Sequence, residues 1–172
     1  FFWMLSFTQS DAYELKPFEF YTSDGQKTNY SEIVKELATA NVILFGEHHN
    51  DAIIHWIQLR LAKDLASANK LVLGAEFFER DDQLKLDEYI SGLIPARNFE
   101  AEARLWNNYK TDYKPLVDFA REEKIAFIAT NVPRRYAALV SKSGLDTLKY
   151  LPKEAKKYIA KWPIKFSMDI PG

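Results

Sequence analysis

The chain has 172 residues, 47% hydrophobic and 27% charged, with a net charge of -1. That size and balance describe a folded domain with a sizeable core rather than a disordered chain. The near-neutral charge, with no Lys/Arg stripe interleaved with aromatics, sets nucleic-acid binding aside, and zero cysteines exclude disulfides, thiolate metal sites and a cysteine nucleophile.

At the start, Phe1 to Phe7 is apolar and Thr8-Gln9-Ser10 is small and polar, so residues 1–10 read as the remnant of a secretory signal. A buried N-terminal strand is the alternative. No run approaches the ~20 apolar residues of a membrane span. Residues 11–172 read as a single domain. Pro17 to Tyr21 predicts a short strand closed by a Ser23-Asp24-Gly25 turn, and Ser31 an N-cap for a helix from Glu32 to Ala38. Val42 to Phe45 predicts the first buried strand. Asn50 or Asp51 can cap the next helix, whose buried face carries Ile54, Ile57, Leu61 and Leu65. Lys70 to Glu76 predicts a second buried strand, followed by a helix from Asp82 to Ser91 that stops at Gly92. Further helices are expected over Pro95–Asn108, Pro115–Glu123, Pro133–Val140 and Lys153–Lys161, with a third buried strand at Ile125–Ala129. This alternation predicts an α/β fold: a mostly parallel sheet with helices packed on its faces.

In such a sheet, ligands bind at the carboxyl edge of the strands. All three histidines, His48, His49 and His55, fall at the first of these edges. Glu76 ends the second strand, and Thr130-Asn131 follows the third. Glu47, His49, His55 and Glu76 would make a nitrogen/oxygen ligand set for zinc, manganese or cobalt, the basis of a metal-dependent hydrolase. His49 and His55 reach one site only if the chain bends at Asn50-Asp51, and His48 reads as a bystander. Blander roles remain open. A His-His pair can satisfy loop backbone groups, Glu47 can sit at a helix N-terminus, and Glu76 with Arg80 can be a surface pair. Tyr109 and Tyr113 could share a helix face, with a break near Lys114 before Pro115. A loop tyrosine can bind ferric haem as phenolate, although packing is the commoner fate. Arg134 could meet a propionate or simply open a solvated helix.

The series Gly46-Glu47-His48-His49 with His55, then Leu73 to Gln83, Trp106, Tyr113 to Leu116 and Ala129 to Arg134, resembles the ChaN-like haem-binding lipoproteins. That family is grouped with the Tiki proteases and the erythromycin esterases. The resemblance implies an exported protein of haem and iron uptake, at the periplasm or outer-membrane surface, a binding protein more than an enzyme. It implies haem held between two subunits of a homodimer, with Tyr113 or Tyr109 on the iron. Glu47, His49, His55, Glu76, Arg80 and Asn131 would then line an older shared crevice. Membrane association would come through a lipid anchor on a cysteine ahead of Phe1. A further C-terminal part of the family pattern would follow Gly172.

Overall fold

The computed structural model of the chain describes residues 16–68 and 70–163. The apolar start and the last residues of the chain, on which the signal and truncation readings rest, lie outside them. The described chain falls into two units, meeting between Leu44 and Phe45.

The first unit holds an antiparallel hairpin of β1 (Phe20–Tyr21) and β2 (Lys27–Thr28). Gly25 closes its turn at φ +81°, a backbone conformation that glycine adopts without a side-chain clash. Helix α1 (Tyr30–Leu37) follows, capped by Asn29, whose side chain accepts from Glu32 N; Ser31, the expected cap, lies inside the helix. Val42 to Phe45 forms no strand. Val42 is 76% and Leu44 93% exposed. An apolar run becomes a strand only where a neighbour takes up its backbone groups, and among the described residues no strand pairs with this one.

The second unit contains α2 (Ala52–Ala66), β3 (Val72–Glu79), α3 (Gln83–Ile90), α4 (Ala96–Glu102), α5 (Lys114–Glu122), β4 (Ala126–Asn131) and α6 (Arg134–Ser143). The sheet expected to be the centre of the fold is smaller than the pattern implied: a two-stranded parallel pair, β3 with β4, in a mostly helical chain. It is also covered on one face. Ala75, Phe77, Phe127 and Ala129 are buried, while Val72, Gly74, Glu76, Ala126, Ile128 and Thr130 are exposed. Gly74 has a close neighbour: a Cβ there would stand 3.2 Å from Thr130 Cγ2, so that side chain would have to give by a few tenths of an ångström. The register Leu73↔Phe127 and Ala75↔Ala129 is interrupted before Glu79↔Asn131. That irregularity lets the consecutive Phe77 and Phe78 both enter the core, which a regular two-residue alternation forbids.

Two other expectations change. The helix expected over Pro95–Asn108 stops at Glu102, where Ala103 turns extended, and Lys153–Lys161 holds only a short 3-10 turn, Ala155–Tyr158. The end of α3 follows expectation, with Gly92 at φ +81° just beyond Ser91.

Gln83, the first residue of α3, joins helix to sheet. Its Nε2 donates to Phe127 O at 2.8 Å and its Oε1 accepts from Ala129 N at 2.7 Å. The carboxamide thus bonds β4 as the peptide group of a neighbouring strand would. Replacing Gln83 by Ala leaves both backbone groups without these partners, and the cost should be about 2 kcal/mol. Chemical denaturation of Gln83→Ala against the native chain measures it; no loss would show that these bonds contribute nothing.

Candidate functional site

The site is assembled by a bend. After extended chain, a turn at His49-Asn50 is closed by Asp51 N donating to His48 O at 3.0 Å. Asp51 then caps α2, its Oδ1 accepting from Ile53 N and Ile54 N at 2.9 and 3.2 Å, which satisfies two otherwise orphaned amides. His55 lies on the first turn of α2, buried, with its Nε2 3.1 Å from His49 O. A carbonyl can only accept, so that proton sits on Nε2. Asn108 Nδ2 donates to the same carbonyl at 2.6 Å. The loop is therefore held through its backbone from two directions, independently of the His49 side chain.

Glu47 is the common acceptor. Its Oε1 accepts from Tyr113 OH at 2.7 Å and from His49 Nδ1 at 3.0 Å. Its Oε2 accepts from Gln58 Nε2 at 3.2 Å and lies 3.7 Å from His55 Nδ1. Burial pushes the carboxyl up, but the bonds from Tyr113 and His49, the nearby His55 ring and Gln58 outweigh it and hold Glu47 below the ordinary value. An ionised carboxylate only accepts, so His49 carries its proton on Nδ1 and, when neutral, keeps a lone pair on Nε2. Nδ1 of His55 is buried and has no hydrogen-bond partner among the described residues.

Aromatic rings wall this cluster. His49 meets Trp106 edge-on at 4.7 Å and His55 meets Tyr113 at 4.6 Å, with Phe77 on the Tyr113 ring at 4.2 Å. Tyr113 arrives by a route not expected. Instead of breaking before Pro115, the chain makes a π-turn, Tyr109–Tyr113, closed by Lys114 N donating to Tyr109 O, and runs directly into α5. Both tyrosines are turned inward. Burial, then the bond to Glu47, pushes the Tyr113 phenol up, so it stays a donor. Tyr109 packs near Phe78 and Phe99; its hydroxyl is buried without a partner among the described residues, and burial above all pushes that phenol up too.

The remaining predicted residues lie elsewhere. Glu76 is on the exposed face of β3, Arg80 is exposed on the short Arg80–Asp82 turn, and Asn131 stands opposite Glu79 at the end of β4. Arg134 opens α6, exposed, its backbone N donating to Glu79 Oε2 at 3.0 Å. No hydrogen bond or ion pair joins these four to the Glu47 cluster among the described residues. The acids around Arg80 serve the fold instead. Arg104 pairs with Glu79 at 3.0 Å and with Asp81, Arg135 pairs with Asp81, and Lys85 Nζ lies 2.7 Å from buried Asp82. Among the described residues no group of three or more His, Asp or Glu side chains is placed to hold a metal ion. Gln58 and Asn108 are site residues that the sequence pattern does not single out; the one signal was the i,i+3 spacing that puts Gln58 on the His55 side of α2.

These features define an α/β protein with a carboxylate–imidazole–phenol cluster at the entry to a helix, flanked by aromatic rings. A family model described as haem-binding uptake, Tiki superfamily, ChaN matches residues 33–169, and the chain belongs to that family. No curated protein and no solved structure matches it.

The hydrogen bonds separate the two tyrosines by their effect on stability. Tyr113→Phe removes a donor to a charged acceptor and should cost about 1.5–3 kcal/mol, whereas Tyr109→Phe removes an unpaired buried hydroxyl and should leave stability unchanged or about 1 kcal/mol higher. Equal effects in thermal or urea unfolding would contradict this assignment. For Glu47, a carboxyl lowered on folding stabilises above its unfolded-state value and loses that contribution as pH falls through the folded one. The stability gap between the native chain and Glu47→Gln should therefore shrink as pH falls below 4.5, the ordinary value, and stay constant near neutrality. A gap that widens on acidification would refute the direction.

Proposed function

We propose that this chain is an exported haem-binding protein of haem and iron uptake, taking haem at the face where the Glu47 cluster meets solvent. Membership of the haem-uptake family over residues 33–169 carries the reading. The residues present suit the ligand. Haem needs an apolar wall for its macrocycle, a nitrogen or oxygen donor for iron and cations for its propionates. Trp106 and the rings behind it supply the first, and the His49 imidazole and Tyr113 phenol are the donors at hand. Arg134, exposed at the start of α6, carries a guanidinium of the kind that meets a propionate, but no hydrogen bond or ion pair joins it to the Glu47 cluster among the described residues. Haem is cargo here, and its iron supplies the coordination that the side chains answer.

The resemblance implies a tyrosine on the iron. For Tyr113 that bond requires the phenol to give up Glu47 and leave the core, where it is fully buried. A pair of subunits belongs to the same reading, because haem held at a rim leaves its second face for another copy to cover. Placement in the periplasm or at the outer-membrane surface, with a lipid anchor, completes the proposal.

Titrating hemin into the full chain should give a saturable Soret shift, and sedimentation of the loaded protein should show a dimer. Absence of saturable binding would sink the proposal. Stoichiometric zinc, manganese or cobalt in the purified protein, lost in His49→Ala, would replace it with the metal-dependent hydrolase.

A further inference from the structure

We infer that the lysine-rich face of residues 142–161 docks the domain on an anionic lipid surface. Charge is unevenly distributed along the chain. Residues 142–161 hold six lysines and two acids, a net +4, so the rest of a chain whose total is -1 carries -5. Such asymmetry speaks of a partner of opposite charge rather than of the fold. The lysines do not serve the core. Two short 3-10 turns, Leu145–Tyr150 and Ala155–Tyr158, belong to a segment that turns Leu148, Ala155 and Ile159 inward, and the first turn packs against α6. Lys142, Lys149, Lys153, Lys156, Lys157 and Lys161 are all exposed. Both acids are spent on neighbours, Asp146 lying 3.7 Å from Lys149 and Glu154 pairing with Lys157. The other four lysines have no ion pair among the described residues. The segment is thus apolar towards the protein and cationic towards solvent.

Its chemistry selects a bilayer among anionic partners. Every cation in residues 142–161 is lysine and none is arginine. A fixed phosphate or carboxylate, on a nucleic acid or an acidic protein, is best met by the planar guanidinium fork. Lysine is a hydrated point charge on a flexible stem, suited to a fluid array of headgroups. Tyr150, 79% exposed, stands among the lysines, with Lys149 Nζ 5.2 Å from its ring. An apolar ring with a polar tip is the combination that settles at headgroup level. No helix among the described residues is long and apolar enough to cross a membrane, and the contact inferred here is adsorption on the surface.

The full chain is sedimented with vesicles of phosphatidylcholine alone and with vesicles containing about one-third phosphatidylglycerol. No hemin is present, so the outcome is independent of the haem reading. The native chain should sediment with the anionic vesicles only, and high salt, by shortening the Debye length, should release it. The triple variant Lys153→Gln, Lys156→Gln, Lys161→Gln removes exposed charges without touching the core. A lysine close to an anionic bilayer strengthens binding by up to about fivefold, so this variant should bind at least about tenfold more weakly. Its circular dichroism should be that of the native chain. Lys70 and Lys124 precede β3 and β4, at the sheet end away from α6, and Lys63 lies in the last turn of α2. Replacing these three by Gln makes the same change in net charge and should leave binding within about twofold, because charges beyond the Debye length are screened. No binding to anionic vesicles, equal losses in the two variants, or equal binding to both vesicles, as insertion of the apolar Phe1–Phe7 run would give, overturns the inference. Retention on duplex DNA or polyglutamate at a salt that abolishes vesicle binding also overturns it.

Discussion

One carboxylate gathers the second unit's chemistry. Glu47 receives a phenol, an imidazole and a carboxamide from three separate stretches of chain, and a second imidazole lies within 4 Å. A carboxylate drawn partly out of water is costly unless its lone pairs are met, and here the donors that meet them also determine what the site can do. Tyr113 is drawn in from the π-turn, Gln58 and His55 from α2, and His49 from the turn before it. Because Glu47 is acceptor only, every proton around it has an assigned place. The neutral His49 ring keeps its lone pair on Nε2 as a consequence, and Nδ1 of His55 is left without a hydrogen bond among the described residues.

The backbone makes this convergence cheap. Asp51 caps the helix that carries His55 and Gln58, and the reversal ahead of it returns Glu47 toward that helix. The π-turn adds a residue to the ring closed by one hydrogen bond, which sets Tyr113 inward while Pro115 still occupies the first turn of α5, where its missing amide is harmless. Such single-turn insertions are uncommon and occur often at functional sites.

How much of this is legible in the sequence depends on what kind of information each feature needs. Helices α2, α3 and α5 carry their own signals: Asp51 as cap, Gly92 past the end, Pro115 in the first turn. Strands β3 and β4 announce themselves by short apolar runs. The run Val42–Phe45 looks the same, yet pairing is a property of two segments and no local pattern reports the second one. The crowding of three histidines marks the turn ahead of α2, and the need for a bend between His49 and His55 can be stated from their spacing alone. Asn108 is invisible, and Gln58 betrays itself only by its spacing from His55, because an amide on a helix or in a loop reads as surface. Tyr113 stands out as a candidate, but its proton-donor role depends on burial and on Glu47, neither of which a sequence displays. Glu76 and Asn131 enter the sequence reading because strand ends are expected to meet at one sheet edge, and among the described residues that sheet has two strands.

The Gln83 carboxamide has a consequence for assembly. By occupying the carbonyl of Phe127 and the amide of Ala129, it takes up two backbone groups of β4 that a further strand would need for pairing there. Open strand edges are templates for uncontrolled aggregation, and a single side chain that imitates a peptide group shields the middle of β4 without the bulk of another segment.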